Sequence, residues 1–164
     1  MLIRPRRNRS SASMRALVRE TVLTPQNLVL PLFVQDGDDR VDPIDALPGC
    51  SRQSIDRAIA TAREAYQLGI PAVALFPVVH ERLKTPDATE ALNPEGLIPQ
   101  AVLAFKKALP DLLVITDVAL DPYSSDGHDG IVRHGRIDND ASLQVLAAQA
   151  LLQARCGADV VAPS

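Results

Sequence analysis

The chain has no tryptophan, and its two Tyr and three Phe amount to 3% of 164 residues. So little aromatic surface gives bases nothing to stack on, and a net charge of -3 supplies no general phosphate-binding face. Both argue against nucleic acid as a partner. Cysteine is almost as scarce: Cys50 and Cys156 are isolated and far apart, which excludes a disulfide framework and a Cys-x-x-Cys zinc signature and fits a reducing compartment. No segment approaches the ~20 consecutive apolar residues of a membrane span, and the opening Met-Leu-Ile-Arg-Pro-Arg-Arg lacks the apolar run of a signal peptide. A cytoplasmic protein is expected, or a plastid one if a transit peptide is missing. No Gly-rich phosphate turn, Gly-x-Ser-x-Gly elbow or EF-hand loop occurs.

What is present reads as one globular domain, 46% apolar and 23% charged. Arg4, Arg6, Arg7 and Arg9 make the start basic, and residues 1–25 read as an N-terminal arm with a helix over Ser11–Glu20. Residues 26–164 repeat one pattern. Short all-apolar runs at Leu28–Val34, Ala72–Phe76, Leu112–Val118 and Asp159–Ala162 read as buried strands. Helical spacing over Ser51–Leu68, Leu97–Leu109 and Asp140–Cys156 fills the gaps, and Gly69, Pro77 and Gly157 supply stops. Gln35–Cys50 reads as a loop. Helix, stop and short apolar strand in succession are the signature of parallel β/α units. The expected fold is α/β: four units, the first half of a TIM-type (β/α)8 barrel with an N-terminal arm, truncated after the fourth strand, since a whole barrel needs about 250 residues.

The chemistry concentrates in Ile115–Gly130, where an apolar run breaks into a loop bearing Asp117, Asp121, Asp126 and Asp129. Like charges in one site raise one another's pKa, so such a group must share a proton, a cation or a metal. Asp117, Asp121 and Ser164 all fall at C-terminal strand ends, where barrels carry catalytic groups. The plainer alternatives are a loop-capping role for Asp117 and turn roles for Asp121-Pro122, Asp126-Gly127 and Asp129-Gly130. His80, His128 and His134 lie in polar loops and read as surface residues. Lys84, Lys106 and Lys107 are the only lysines; none is expected at a strand end, so none is placed to form an imine, and the last two read as a solvated helix face.

Arg4-Pro-Arg-Arg, Leu30-Pro-Leu-Phe33, Gly69-Ile-Pro-Ala-Val-Ala-Leu-Phe-Pro77, Asn93-Pro-Glu-Gly-Leu97, Ile115–Gly130 and Gly157-Ala-Asp-Val-Val-Ala-Pro-Ser164 together resemble the porphobilinogen synthase (delta-aminolevulinic acid dehydratase) family. The resemblance implies a lyase of tetrapyrrole biosynthesis that condenses two 5-aminolevulinate molecules into porphobilinogen with loss of water. It also implies an arm that embraces a neighbouring subunit, in a homo-octamer. Asp117 matches the active-site aspartate that serves the substrate amino group, and Ser164 a serine of the substrate site. The imine-forming lysines belong to later strands, so this chain alone is expected to be inactive. Zinc-binding members carry cysteines at positions matching Ala119, Asp121 and Asp129. With two carboxylates and an alanine there, no catalytic zinc is expected. The likeness is to the magnesium-responsive branch, with Mg2+ acting allosterically through ligands mainly outside this chain and Asp121 and Asp129 as a weak metal site. A non-catalytic half-barrel that binds a partner is the alternative.

Overall fold

The computed structural model describes residues 3–164. Its centre is a six-stranded sheet built from β1 (Val29–Gln35), β2 (Val41–Pro43), β3 (Ser51–Ser54), β4 (Ala72–Val78), β5 (Leu113–Val118) and β8 (Val160–Pro163), in the order β2-β3-β1-β4-β5-β8. Only the β2–β3 pair is antiparallel. A separate two-stranded ribbon joins β6 (Val132–Arg133) to β7 (Arg136–Ile137). Between the principal strands run α2 (Ile55–Gln67), α3 (Leu97–Ala108) and α4 (Asn139–Arg155); α1 (Ala12–Leu17) lies in the arm. The observed class is thus α/β with a mostly parallel sheet.

Each principal strand pairs with the one before it, and all three intervening helices pack on one face of the sheet. Strand residues point alternately to the two faces. Leu32 and Val34, Val73 and Leu75, and Val114 point at the helices and are buried against Ala58 and Ala62 of α2 and Ile98, Ala101, Val102 and Phe105 of α3. The spacing 98, 101, 102, 105 is one stripe of a 3.6-residue helix, and Pro99 sits in the first turn, where a missing N–H costs no internal bond. The opposite face is open and apolar. Val29, Leu113 and Val160 on it are 46%, 45% and 44% exposed, and Phe33 and Phe76 stack across β1 and β4 with ring centroids 5.8 Å apart.

The structure departs from the sequence reading in three segments. Gln35–Cys50, expected as a loop, contains β2. Ser51–Ser54, expected as a helix start, is β3, because Arg52–Ser54 pair with Phe33–Gln35 along the outer side of β1. Helix α2 begins four residues later than expected, at Ile55. Pro31 is accommodated within β1 ahead of the stretch that β3 covers, where β1 has a single neighbour, β4. The arm helix is shorter than expected; Ser11 caps it by accepting from the Met14 amide at 3.1 Å. Residues 3–23 are exposed throughout.

Lys106 also departs from its expected place on a solvated face. Its ammonium donates to the Pro110 and Leu112 carbonyls, both at 3.1 Å, and to the Asp159 carboxylate at 2.9 Å, and that carboxylate accepts from the Val114 amide at 2.8 Å. One cation thereby ties α3 to the strand entries of β5 and β8. Partial burial pushes Asp159 up, but the Val114 N–H and the Lys106 ammonium outweigh it and hold the carboxyl below its ordinary 3.8. A depressed folded-state pKa stabilises the fold above the unfolded value, and that contribution is lost as pH falls through and below about 4. Lys106→Met should therefore cost about 1–3 kcal/mol at pH 7. In urea melts at pH 7 and pH 3 the deficit should narrow at the lower pH; an equal deficit at both would show that Asp159 has no part in it.

Candidate functional site

The site forms where β4 and β5 open into their following loops. On β5, Val114, Thr116 and Val118 face the helices, so Asp117 projects from the open face, in register with Ala162 of β8. The strand ends at the break in the apolar run, and Ala119 and Leu120 continue buried into the acid loop. That loop is held from beneath: Leu120, Tyr123 and Ile131 pack with Ala88 and Ala91 in a second apolar cluster separate from the main core. It is also stitched to the loop after β4, where Thr85 donates its amide to the Tyr123 carbonyl and accepts from the Ser125 amide, both at 3.1 Å.

Gly130 is required for space. A Cβ there would lie 2.6 Å from Ile137 and 2.9 Å from the Ser142 hydroxyl, which accepts from the Ile131 amide at 2.9 Å. Beyond it, His134 and Gly135 turn the β6–β7 ribbon with φ of 53° and 72°, positive at both central positions as a type I′ hairpin demands. His134 is thus a turn residue, and His80 caps a short helical turn by accepting from the Arg82 amide at 3.2 Å.

Asp121 and Asp129 both act on Asp117. Burial pushes the Asp117 carboxyl above its ordinary value, and the Asp121 and Asp129 charges push it further. Asp121 is raised by loss of water and then by Asp129, while the Lys84 ammonium pulls it back. Asp126 belongs to a turn, its amide donating to the Ser124 hydroxyl at 3.1 Å. Ser164 is exposed and joins the same end of the sheet, its amide donating to the Val118 carbonyl at 3.1 Å. The structure therefore brings Asp117, Asp121 and Asp129 together and places Ser164 on the adjoining strand end, with Asp126 outside the group. A cleft of about 420 Å³ opens alongside, lined in part by Phe33, Arg52, Pro77, Glu81, Lys84 and Pro122.

A zinc tripod does not fit these residues. Ala119 is buried and offers no donor, and among the described residues no three His, Cys, Asp or Glu side chains converge closely enough to hold a metal. What remains is a pair of carboxylates, the donor type of hard oxygen-preferring cations.

Four residues gained a place here that the sequence reading did not give them. Lys84, ion-paired to Glu81 at 2.6 Å, is the cation nearest the acids in effect. Tyr123 is buried, and burial raises its phenol above the ordinary value, the Gln149 side chain working against the rise and Glu90, Asp117 and Asp121 adding to it; it stays neutral. Gln149 and Gln153 of α4, 1% and 2% exposed, reach the β5 backbone. Gln153 donates to the Asp117 carbonyl at 3.0 Å and accepts from the Thr116 hydroxyl at 2.8 Å, and Gln149 donates to the Ala119 carbonyl at 3.2 Å. The available signal was their spacing of four on a helix whose leucines at 143 and 151 face solvent.

Residues 2–164 match the family model described as delta-aminolevulinic acid dehydratase. The chain is 47% identical to the delta-aminolevulinic acid dehydratase of Bradyrhizobium diazoefficiens over 164 residues, all of this chain and 46% of that protein. It is 51% identical to the chloroplastic enzyme of Selaginella martensii over 163 residues, 98% of this chain and 39% of that one. Among solved structures it is similar to delta-aminolevulinic acid dehydratase (porphobilinogen synthase) from Toxoplasma gondii in complex with the reaction product porphobilinogen. There the TM-score is 0.95 at 47% identity, covering 100% of this chain and 47% of that chain. The chain thus spans about half the length, or somewhat less, of the relatives it matches. On the strength of the family model and of near-complete coverage at this identity, the chain belongs to the delta-aminolevulinic acid dehydratase family.

Proposed function

We propose that this chain is the acid-bearing first half of a porphobilinogen synthase, a lyase condensing two 5-aminolevulinate molecules into porphobilinogen with loss of water. The observation that carries the reading is Asp117: a partly buried carboxyl at the open end of a central strand, pushed up by burial and two neighbouring acids, in a chain about half identical to dehydratases. A carboxyl raised in this way exchanges a proton nearer neutral pH than a free one, which suits general acid–base work. Asp117 would hold the substrate amino group and move its proton. Ser164, on the adjoining strand end, would contact substrate through its hydroxyl. The imine-forming lysines would come from strands beyond this half, and the helix-free sheet face is the inner wall of the first four units of a (β/α)8 barrel.

Mg2+ is the cation this chemistry favours, since it is held by one or two carboxylates and keeps several waters. Asp121 and Asp129 could supply such a pair, with allosteric Mg2+ ligands mainly outside the chain. The arm, residues 1–25 and exposed over residues 3–23, would embrace a neighbouring subunit of a homo-octamer. Among the described residues no helix is long and apolar enough to cross a membrane. A cytoplasmic location, or a plastid one like that of the Selaginella relative, completes the reading.

The test is expression from the full reading frame and a colorimetric assay for the pyrrole. Turnover of 5-aminolevulinate is expected from that protein and none from residues 1–164 alone. A folded full-frame product that makes no pyrrole, with or without Mg2+, sinks the proposal. The open apolar face favours a second reading, a non-catalytic half-barrel assembly module. A defined soluble oligomer of the 164-residue chain in light scattering, with no pyrrole from any form, would support it.

A further inference from the structure

We propose that Gln149 and Gln153 are positioning residues for Asp117: two carboxamides on successive turns of α4 that hold the last peptides of β5 and so fix where the Asp117 carboxyl stands. The inference rests on the catalytic reading of Asp117 and goes beyond it. Pairing between β4 and β5 ends at Thr116, while β8 follows β5 to Val118. From Asp117 onward the strand therefore has a partner on one side only. Alternate carbonyls of a strand point to opposite sides. Val118 O accepts from the Ser164 amide, and Asp117 O and Ala119 O, two residues apart, face the side where β4 has ended. Those two carbonyls are the ones the glutamines take, at 3.0 and 3.2 Å.

Packing alone does not explain the choice of residue. Buried helix positions are ordinarily apolar, yet α4 turns Ser142, Gln149 and Gln153 inward and leaves Leu143 63% and Leu151 51% exposed. Gln149 also leaves its Oε1 buried without a hydrogen-bond partner among the described residues. Flipping that amide would set its oxygen against the Ala119 carbonyl, so the unpaired oxygen is the consequence of committing Nε2 to the backbone. Gln153 is held from both ends, by the Thr116 hydroxyl and the Asp117 carbonyl. Residues on each side of the Asp117 Cα are thereby tied to one rigid helix, which is how a reacting group is kept within about 0.5 Å of its working place.

The experiment is a double-mutant cycle in the protein expressed from its full reading frame, with Gln153→Met, Asp117→Asn and the pair. Gln153→Met should lower kcat about 10- to 100-fold, the cost of misplacing a reacting group by about 1 Å, with KM changed less than about threefold. In the Asp117→Asn background it should slow the enzyme no further, because nothing is left to position. A merely structural role predicts a lower melting temperature with kcat per folded molecule unchanged, or losses that multiply in the pair, and either result overturns the inference. If Asp117→Asn keeps wild-type turnover, the catalytic reading fails instead. Crystal structures then decide the positioning separately: an Asp117 carboxyl displaced by more than about 0.5 Å in Gln153→Met supports it, and an unmoved one overturns it. Should Gln153→Met not fold, Gln149→Met, which removes one bond and one unpaired oxygen, is expected to show the same kcat-specific loss under the same criteria.

Discussion

Asp117→Asn is expected to slow turnover of the full-frame protein by about 10²- to 10⁴-fold, the range for removing a positioned acid–base group, and at the same time to raise its melting temperature at neutral pH. The two effects share a cause. Burial and the Asp121 and Asp129 charges raise the Asp117 pKa, so the folded state holds a proton that the unfolded state has already released. For such a group stability falls as pH rises from the unfolded value, 3.8, to the folded one, and the penalty persists above that window. Asparagine keeps the shape and never ionises. Its advantage in melting temperature should be present at pH 7 and absent below about pH 4, where aspartate is protonated in both states. Calorimetry across that range, beside the pyrrole assay, checks both halves. An Asn variant that is both slow and less stable at pH 7 would mean the carboxylate is paired in a way the structure does not contain. Stability surrendered at a reacting group is the common trade between function and fold.

Leu120→Ala is expected to cost about 2–5 kcal/mol, the range for emptying a fully buried leucine, and to cost it locally. Leu120 is completely buried, but its partners Ala88, Ala91, Tyr123 and Ile131 form the cluster under the acid loop, apart from the core between sheet and helices. The loop should then open as its own cooperative unit. In hydrogen exchange the amides of Ser125, Ile131 and Asp138, bonded to Thr85 O, Ser142 Oγ and Ile131 O, should lose protection well before those of β1 and β4. Uniform loss across the chain would show that the two clusters melt as one. Because Asp121 and Asp129 ride on that loop, their mutual effect on Asp117 should fade with it, and the Asp117 titration should move down toward its ordinary value.

Much of this was readable in the residues themselves. The four apolar runs and their Gly and Pro stops gave strands within one or two residues of β1, β4, β5 and β8, and periodicity gave α3 and α4, because both signals are local. Asp117 stood out for the same reason, an acid at the break of an apolar run. Arg52–Ser54 did not read as strand, since their partners on β1 lie 19 residues back and so short and polar a strand carries no hydrophobic alternation. Lys106 read as solvated because its partner Asp159 is 53 residues away. The glutamines of α4 were hidden because its fully buried positions are the polar Ser142, Gln149 and Gln153 while Leu143 and Leu151 face out, a mixture that a hydrophobic pattern does not resolve. The expected (β/α)8 half and the arm's role go beyond a sheet and its helices, and rest on the proposal.

The pairing order of the sheet has a kinetic consequence. β3 and β4 both pair with β1, β5 pairs with β4, and β8 pairs with β5, so each of these strands finds its partner already synthesised. A nascent chain emerging at about 5–20 residues per second can therefore add one β/α unit at a time, with β2 waiting only the few residues until β3. Loop closures stay within one β/α unit, since each crossover carries one α-helix, joined in two of the three by a short strand pair. What accumulates meanwhile on the ribosome is the apolar face bearing Val29, Leu113 and Val160, which grows by one strand with every unit and is the surface a chaperone would have to shield during synthesis.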